Sequence, residues 1–134
     1  MIFGRKTRHR LPQFPSGVEA VFNDFCEPLP IEAVAAVREE LDKEVEKLIH
    51  SATKNQKIEL RLVNALYLAS KALLDQYEKY SEEEKAMIIG AIRYFVISDD
   101  PFPDTDFASG FLDDAKVMNY VLDQLGEEEL IIDI

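Results

Sequence analysis

The sequence predicts an all-α fold, a compact bundle of about five helices with an Asp/Pro-rich loop before the last one. Three observations predict it. Apolar residues recur at three- and four-residue spacing from Val18 to Leu125, the period of helices that bury one face. Ser or Thr followed three residues later by Glu or Gln opens several of these stretches, as at a helix N-terminus. No alternating strand period appears before the final residues.

The elements follow in order. Residues 1–15 read as an irregular basic arm, with Arg5, Lys6, Arg8 and Arg10 punctuated by Gly4, Pro12 and Pro15. Ser16 and Glu19 form a capping box, and Val18, Val21, Phe22 and Phe25 place a short helix over about 17–26. Pro28 and Pro30 end it. The next helix starts near Pro30, buries Ile31, Val34, Val37, Leu41, Val45 and Leu48, and stops near Ser51–Ala52, with Glu39 and Lys43 paired on its outer face. Thr53 and Gln56 offer a second capping box. The helix expected after it, about 55–79, is apolar on several sides through Leu62, Leu66, Leu68 and Leu73, which marks it as the central one. Ser81 and Glu84 open a fourth helix that runs to about Ile97. The fifth covers about 111–125, turns Leu112, Ala115, Met118, Val121, Leu122 and Leu125 inward, and stops at Gly126. The bundle domain is thus 16–126, followed by an acidic and apolar tail, 127–134.

In that tail Leu130, Ile131, Ile132 and Ile134 are too apolar to idle in water, since burial of such a side chain contributes about 1.5–3 kcal/mol. Extended, the tail sets Leu130, Ile132 and Ile134 on one face. Those three are candidate docking residues, either onto the chain's own bundle or onto a second chain.

At 134 residues the chain can bury a core without disulfides or metals, and Cys26 is its only cysteine. The net charge of -11 is unevenly placed. Residues 1–97 hold 14 Lys/Arg and 15 Asp/Glu, whereas residues 98–134 hold 11 acids and one base, Lys116. Such a field repels phosphate backbones and argues against nucleic acid. The basic arm could meet an acidic surface or an anionic membrane. There is no apolar run of membrane-spanning length and no apolar signal core near the N-terminus, so a cytoplasmic location is expected.

Catalytic motifs are scarce. The chain has no Gly-rich phosphate loop and no GxSxG, and His50 is the only histidine outside the arm. His50 suits the negative end of a helix, and Cys26 a buried apolar site. Too few Cys and His are present for a zinc site. One constellation stands out: Ser98 to Asp114 holds six aspartates and no Lys or Arg. Asp113 and Asp114 fall at the start of the last helix, where the dipole favours anions by about 0.3–1 kcal/mol each. Asp100 and Asp104 can accept backbone N–H groups in the loop. The alternative is a calcium or magnesium site built from Asp100, Asp104, Asp113 and Asp114.

Within this region Tyr94, Asp100, Pro103, Asp104, Gly110, Leu112, Asp113, Asp114 and Ala115 stand in a distinctive register. Tyr94 through Ala115 resembles the signature of the YkvA-like family, a bacterial helical domain of unknown function. Ser98, Pro101 and Asp106 make the loop more acidic and less apolar than that signature. The resemblance implies a helix–loop–helix unit and singles out Asp100, Asp104, Asp113 and Asp114. It carries no activity with it.

The expected function is contact with another protein or self-association rather than catalysis, without a cofactor. A divalent-cation-binding domain, hydrolytic or not, is the runner-up, and a peripheral membrane protein the third reading.

Overall fold

The computed structural model describes Phe14 and residues 16–54, 59–97 and 110–134. Among them lie five α-helices and no strand, an all-α bundle: α1 Ser16–Phe25, α2 Ile31–Ala52, α3 Leu60–Asp75, α4 Glu82–Val96 and α5 Gly110–Leu125. Single 3-10 turns follow α3 (Tyr77–Lys79) and α5 (Glu128–Leu130). Residues 1–13 of the expected arm, Gln56 of the second capping box, and Asp100 and Asp104 lie outside the described residues. Phe14, assigned to the arm, packs half-buried against the core.

The helix boundaries follow local chemistry. Ser81 caps α4: its Oγ accepts from the Glu84 N–H at 3.2 Å while the Glu84 carboxylate accepts from the Ser81 N–H at 2.9 Å. Two of the four N–H groups that a helix start leaves without a partner are thereby satisfied. Thr53 does not open a helix. It closes α2, its hydroxyl donating to the His50 carbonyl at 2.7 Å. Glu39 and Lys43 do pair along α2, at 3.6 Å.

The central helix is α4, which corrects the expectation that placed the third helix there. Met87, Ile88, Ile89, Gly90, Ala91 and Ile92 are all buried, and α4 touches each of the other four helices. One small residue in that run makes the closest of these approaches possible. A Cβ on Gly90 would stand 2.6 Å from Cys26 Sγ and 3.1 Å from Phe22 Cε1, so α1 lies on α4 at a separation only glycine permits. By contrast α3 packs on α2, α4 and α5 and leaves Leu60 and Leu68 facing out, Leu68 with 58% of its surface exposed.

Aromatic side chains join the layers. Phe22 of α1 meets Tyr120 of α5 edge-on, with ring centroids 6.1 Å apart, and Phe95 of α4 meets Phe111 of α5 at 6.3 Å. Tyr77 is buried and donates its hydroxyl to the Leu29 carbonyl at 2.6 Å, tying the turn after α3 to the α1–α2 link. Burial pushes its phenol pKa up, which keeps the donating proton in place. Links between α2 and α3 are more exposed: Tyr67 donates to Asp42 at 2.7 Å and Arg38 pairs with Asp75 at 2.6 Å. Such exposed pairs contribute about 0–1 kcal/mol.

The α1–α4 contact yields a test. Gly90→Ala forces a methyl against Cys26 and is expected to cost about 1–3 kcal/mol, measured by thermal or denaturant unfolding. Adding Cys26→Ala removes the obstructing sulfur and is expected to recover part of that loss. A double variant no more stable than Gly90→Ala would contradict the close approach.

Candidate functional site

Of the regions expected to carry chemistry or contact, residues 1–13 of the basic arm lie outside the described residues, which leaves the acidic loop with the start of α5 and the C-terminal tail. In the first, Asp113 lies half-buried in the first turn of α5, and Asp114 is buried one residue on, with 7% of its surface exposed. Asp113 sits at the positive end of the helix dipole. Among the described residues no three His, Cys, Asp or Glu side chains converge as a cation site. Cys26 is buried beside Gly90, whereas His50 is exposed in the last turn of α2. A shallow, open depression lies beside His50, lined by Lys43, Glu46, Lys47 and Ile49.

The second region is built in detail. Gly126, at φ 75°, takes the left-handed conformation that ends α5. Its N–H donates to the Asp123 carbonyl at 3.1 Å and that of Glu127 to the Leu122 carbonyl at 2.9 Å. This paired arrangement satisfies carbonyls that the helix end would otherwise leave open, and only glycine enters it without strain. It also aims Glu127 at the end of α3.

There Glu127 Oε2 accepts from the Tyr80 hydroxyl at 2.5 Å and from Gln76 Nε2 at 3.2 Å, with Lys79 Nζ at 3.2 Å. Gln76 Nε2 also donates to the Tyr80 oxygen at 2.7 Å. The Tyr80 hydrogen bond, with help from Lys79, holds the Glu127 carboxyl below its usual range. Burial, and then the bond to the Glu127 carboxylate, pushes the Tyr80 phenol up. The two directions agree: the proton stays on the phenol and the charge on the carboxylate.

After the 3-10 turn the chain extends, and Asn119 of α5 grips it. The Ile132 N–H donates to Asn119 Oδ1 at 2.7 Å, and Asn119 Nδ2 donates back to the Ile132 carbonyl at 2.9 Å. Only one orientation of the amide satisfies both bonds. Asn119 thus acts as a one-residue strand partner, engaging both backbone polar groups of Ile132. Arg61, in the first turn of α3, donates to the Asp133 carbonyl at 2.6 Å. The tail therefore lies along the seam between α3 and α5.

The three docking candidates separate. Ile132 is buried in the chain's own core, Leu130 is half-buried against it, and Ile134 is 52% exposed. A strand-like tail with all three on one face does not form, because the turn at Glu128–Leu130 breaks the two-residue period before the extended segment begins. The residues that hold the tail, Asn119, Arg61, Gln76, Lys79 and Tyr80, were not singled out from the sequence. A signal existed for Asn119: it sits one turn from Ala115 on the inward arc of α5, where a polar amide needs a partner.

Comparison of the chain with protein-family models, with curated proteins and with solved structures finds no match. Among the described residues no helix is long and apolar enough to cross a membrane.

The Glu127 cluster gives a pH prediction. The folded-state pKa of Glu127 lies below its unfolded value, so its stabilisation is present above about pH 4.3 and is lost as pH falls through the folded value. Tyr80 is shifted up, so its share is present below about pH 10 and is lost above it. Glu127→Gln is expected to cost about 1 kcal/mol at pH 7, because its bonds are charge-assisted but the site is partly open to water. In thermal melts the gap between variant and wild type should close as pH falls below about 4. A gap of constant size down to pH 3 would contradict the assignment.

Proposed function

We propose that the chain is a non-enzymatic protein-contact module that works through the face formed by its anchored C-terminal segment. One observation carries this reading. Ile131 and Ile134 stand outward, 43% and 52% exposed, beside the buried and clamped Ile132. Single exposed aliphatics are ordinary, but here the backbone between two of them is held by Asn119 and Arg61. A pre-ordered apolar edge loses little further entropy when a partner covers it. Acidic residues flank this edge, Glu127 to Glu129 on one side and Asp133 within it. A fitting partner surface is apolar with a rim of Lys or Arg, on another protein or on a second copy.

The acidic C-terminal quarter supports a protein rather than a nucleic acid as partner. We also propose, on the Tyr94–Ala115 signature alone, that the segment joining α4 and α5 is of the YkvA-like kind.

Ile131→Ser combined with Ile134→Ser tests the reading. Both side chains are exposed, so unfolding stability should change by no more than about 0.5 kcal/mol. Sedimentation of the wild type should reveal self-association that the double variant lacks, or affinity capture from the source cell should retain a protein that the variant releases. Identical behaviour of the two chains in both experiments would sink the proposal.

A further inference from the structure

The same segment shows what the α3–α5 seam can hold. Its side chains contribute one buried aliphatic, Ile132. Both backbone groups of that residue are bonded by Asn119, and the next carbonyl by Arg61. Five residues earlier a carboxylate is received by Tyr80, Gln76 and Lys79. Recognition of this kind reads backbone shape, one aliphatic side chain and one charge. Of the residues between, only Leu130 adds a contact, half-buried against the core.

We infer that the α3–α5 seam is a peptide-docking site whose resident occupant is residues 127–134, and that it takes from another protein an extended segment with a carboxylate five residues ahead of a β-branched aliphatic. The inference stands apart from the outward-face reading above: that reading uses the docked tail's exposed Ile131 and Ile134, whereas this one uses the seam beneath the tail. Charge supports an acidic occupant: in a chain of net charge -11, the seam presents Lys79 at one end and Arg61 at the other. The resident segment is also built to leave. Only Ile132 is buried and only Leu130 half-buried against the core, whereas Glu128, Glu129, Ile131, Asp133 and Ile134 are exposed. Segments with so few buried contacts open without unfolding of the whole domain. While docked, the tail competes from within the same chain at high effective concentration, so a foreign segment binds best once it is displaced.

The experiment uses full-length chains and a fluorescent synthetic peptide of residues 126–134, read by anisotropy. Ile132→Asp expels the resident tail and leaves the seam intact. This variant should bind the peptide at least about tenfold more tightly than wild type. Adding Asn119→Ala should remove that gain, and a peptide carrying Asp in place of the buried aliphatic should not bind. Equal binding by wild type and a folded Ile132→Asp chain, or binding indifferent to Asn119, overturns the inference. Hydrogen exchange on the wild type gives an independent reading should Ile132→Asp fail to fold. The Ile132 amide should exchange faster than that of Ile92 by about two orders of magnitude. Exchange of both as one unit overturns the inference. Wild-type dimers that survive Ile131→Ser with Ile134→Ser but vanish with Ile132→Asp would place a second copy's tail in the seam, and would also overturn the foreign-segment assignment. Because Ile131→Ser with Ile134→Ser leaves the clamped residue unchanged, loss of the outward-face reading and loss of the docking site are separate results.

Discussion

Six consecutive residues of α4, Met87 to Ile92, are shut away from water, and the placing of the other helices depends on that burial. A helix buried on every side must be met on every side, and only small residues let neighbours come close enough to fill the space. Gly90 does this for α1, whose Phe22 and Cys26 lie against the bare backbone. Phe22 in turn reaches Tyr120, so the approach of α1 also fixes the far side of α5. The arrangement depends on volume more than on any polar bond, and it is sensitive to a single methyl.

With α4 enclosed, α3 and α5 come side by side and their seam takes up residues 127–134. Gly126 turns the backbone back, Glu127 docks at the end of α3, and Asn119 and Arg61 take up the extended residues. The Asn119 bonds give both backbone groups of the buried Ile132 a partner, and the Arg61 bond ties down the exposed carbonyl beyond it. None of them covers Ile131 or Ile134. The result is a tail whose backbone is held more firmly than its side chains are buried, an arrangement suited to contact with another chain.

The polar cluster around Glu127 also sets conditions on the tail. Its carboxylate is favoured by a phenol that keeps its proton and by an ammonium group beside it. The cluster is therefore strongest between about pH 5 and pH 9, where the carboxylate is charged and the phenol neutral in both the folded and unfolded chain. A change of pH to either side weakens the first link that holds residues 127–134 and leaves the aliphatic core of the bundle untouched.

By itself the sequence determined the all-α class, the four helix ends that carry local signals, at Pro28, Ala52, Ser81 and Gly126, and most of the apolar stripes of α2 and α5, although Ile31, expected inward, is 45% exposed. Capping, proline and helical periodicity act within a few residues, so they are legible without a fold. It also marked the tail as too apolar to be idle. Which helix is central was decided only in three dimensions: α3 and α4 are both rich in aliphatics, and the outcome turned on Gly90 meeting Cys26 and Phe22, residues 64 and 68 positions away in the chain. The clamp on the tail was equally hidden, because Arg61 and Asp133 stand 72 positions apart and Tyr80 and Glu127 47. Of the candidate aspartates, Asp113 lies in the first turn of α5 and Asp114 one residue further on, and Asp100 and Asp104 lie outside the described residues. The fate of Leu130, Ile132 and Ile134 was set by a 3-10 turn whose side chains carry no such signal: it forms because Gly126 and Glu127 have already fixed where the chain must go.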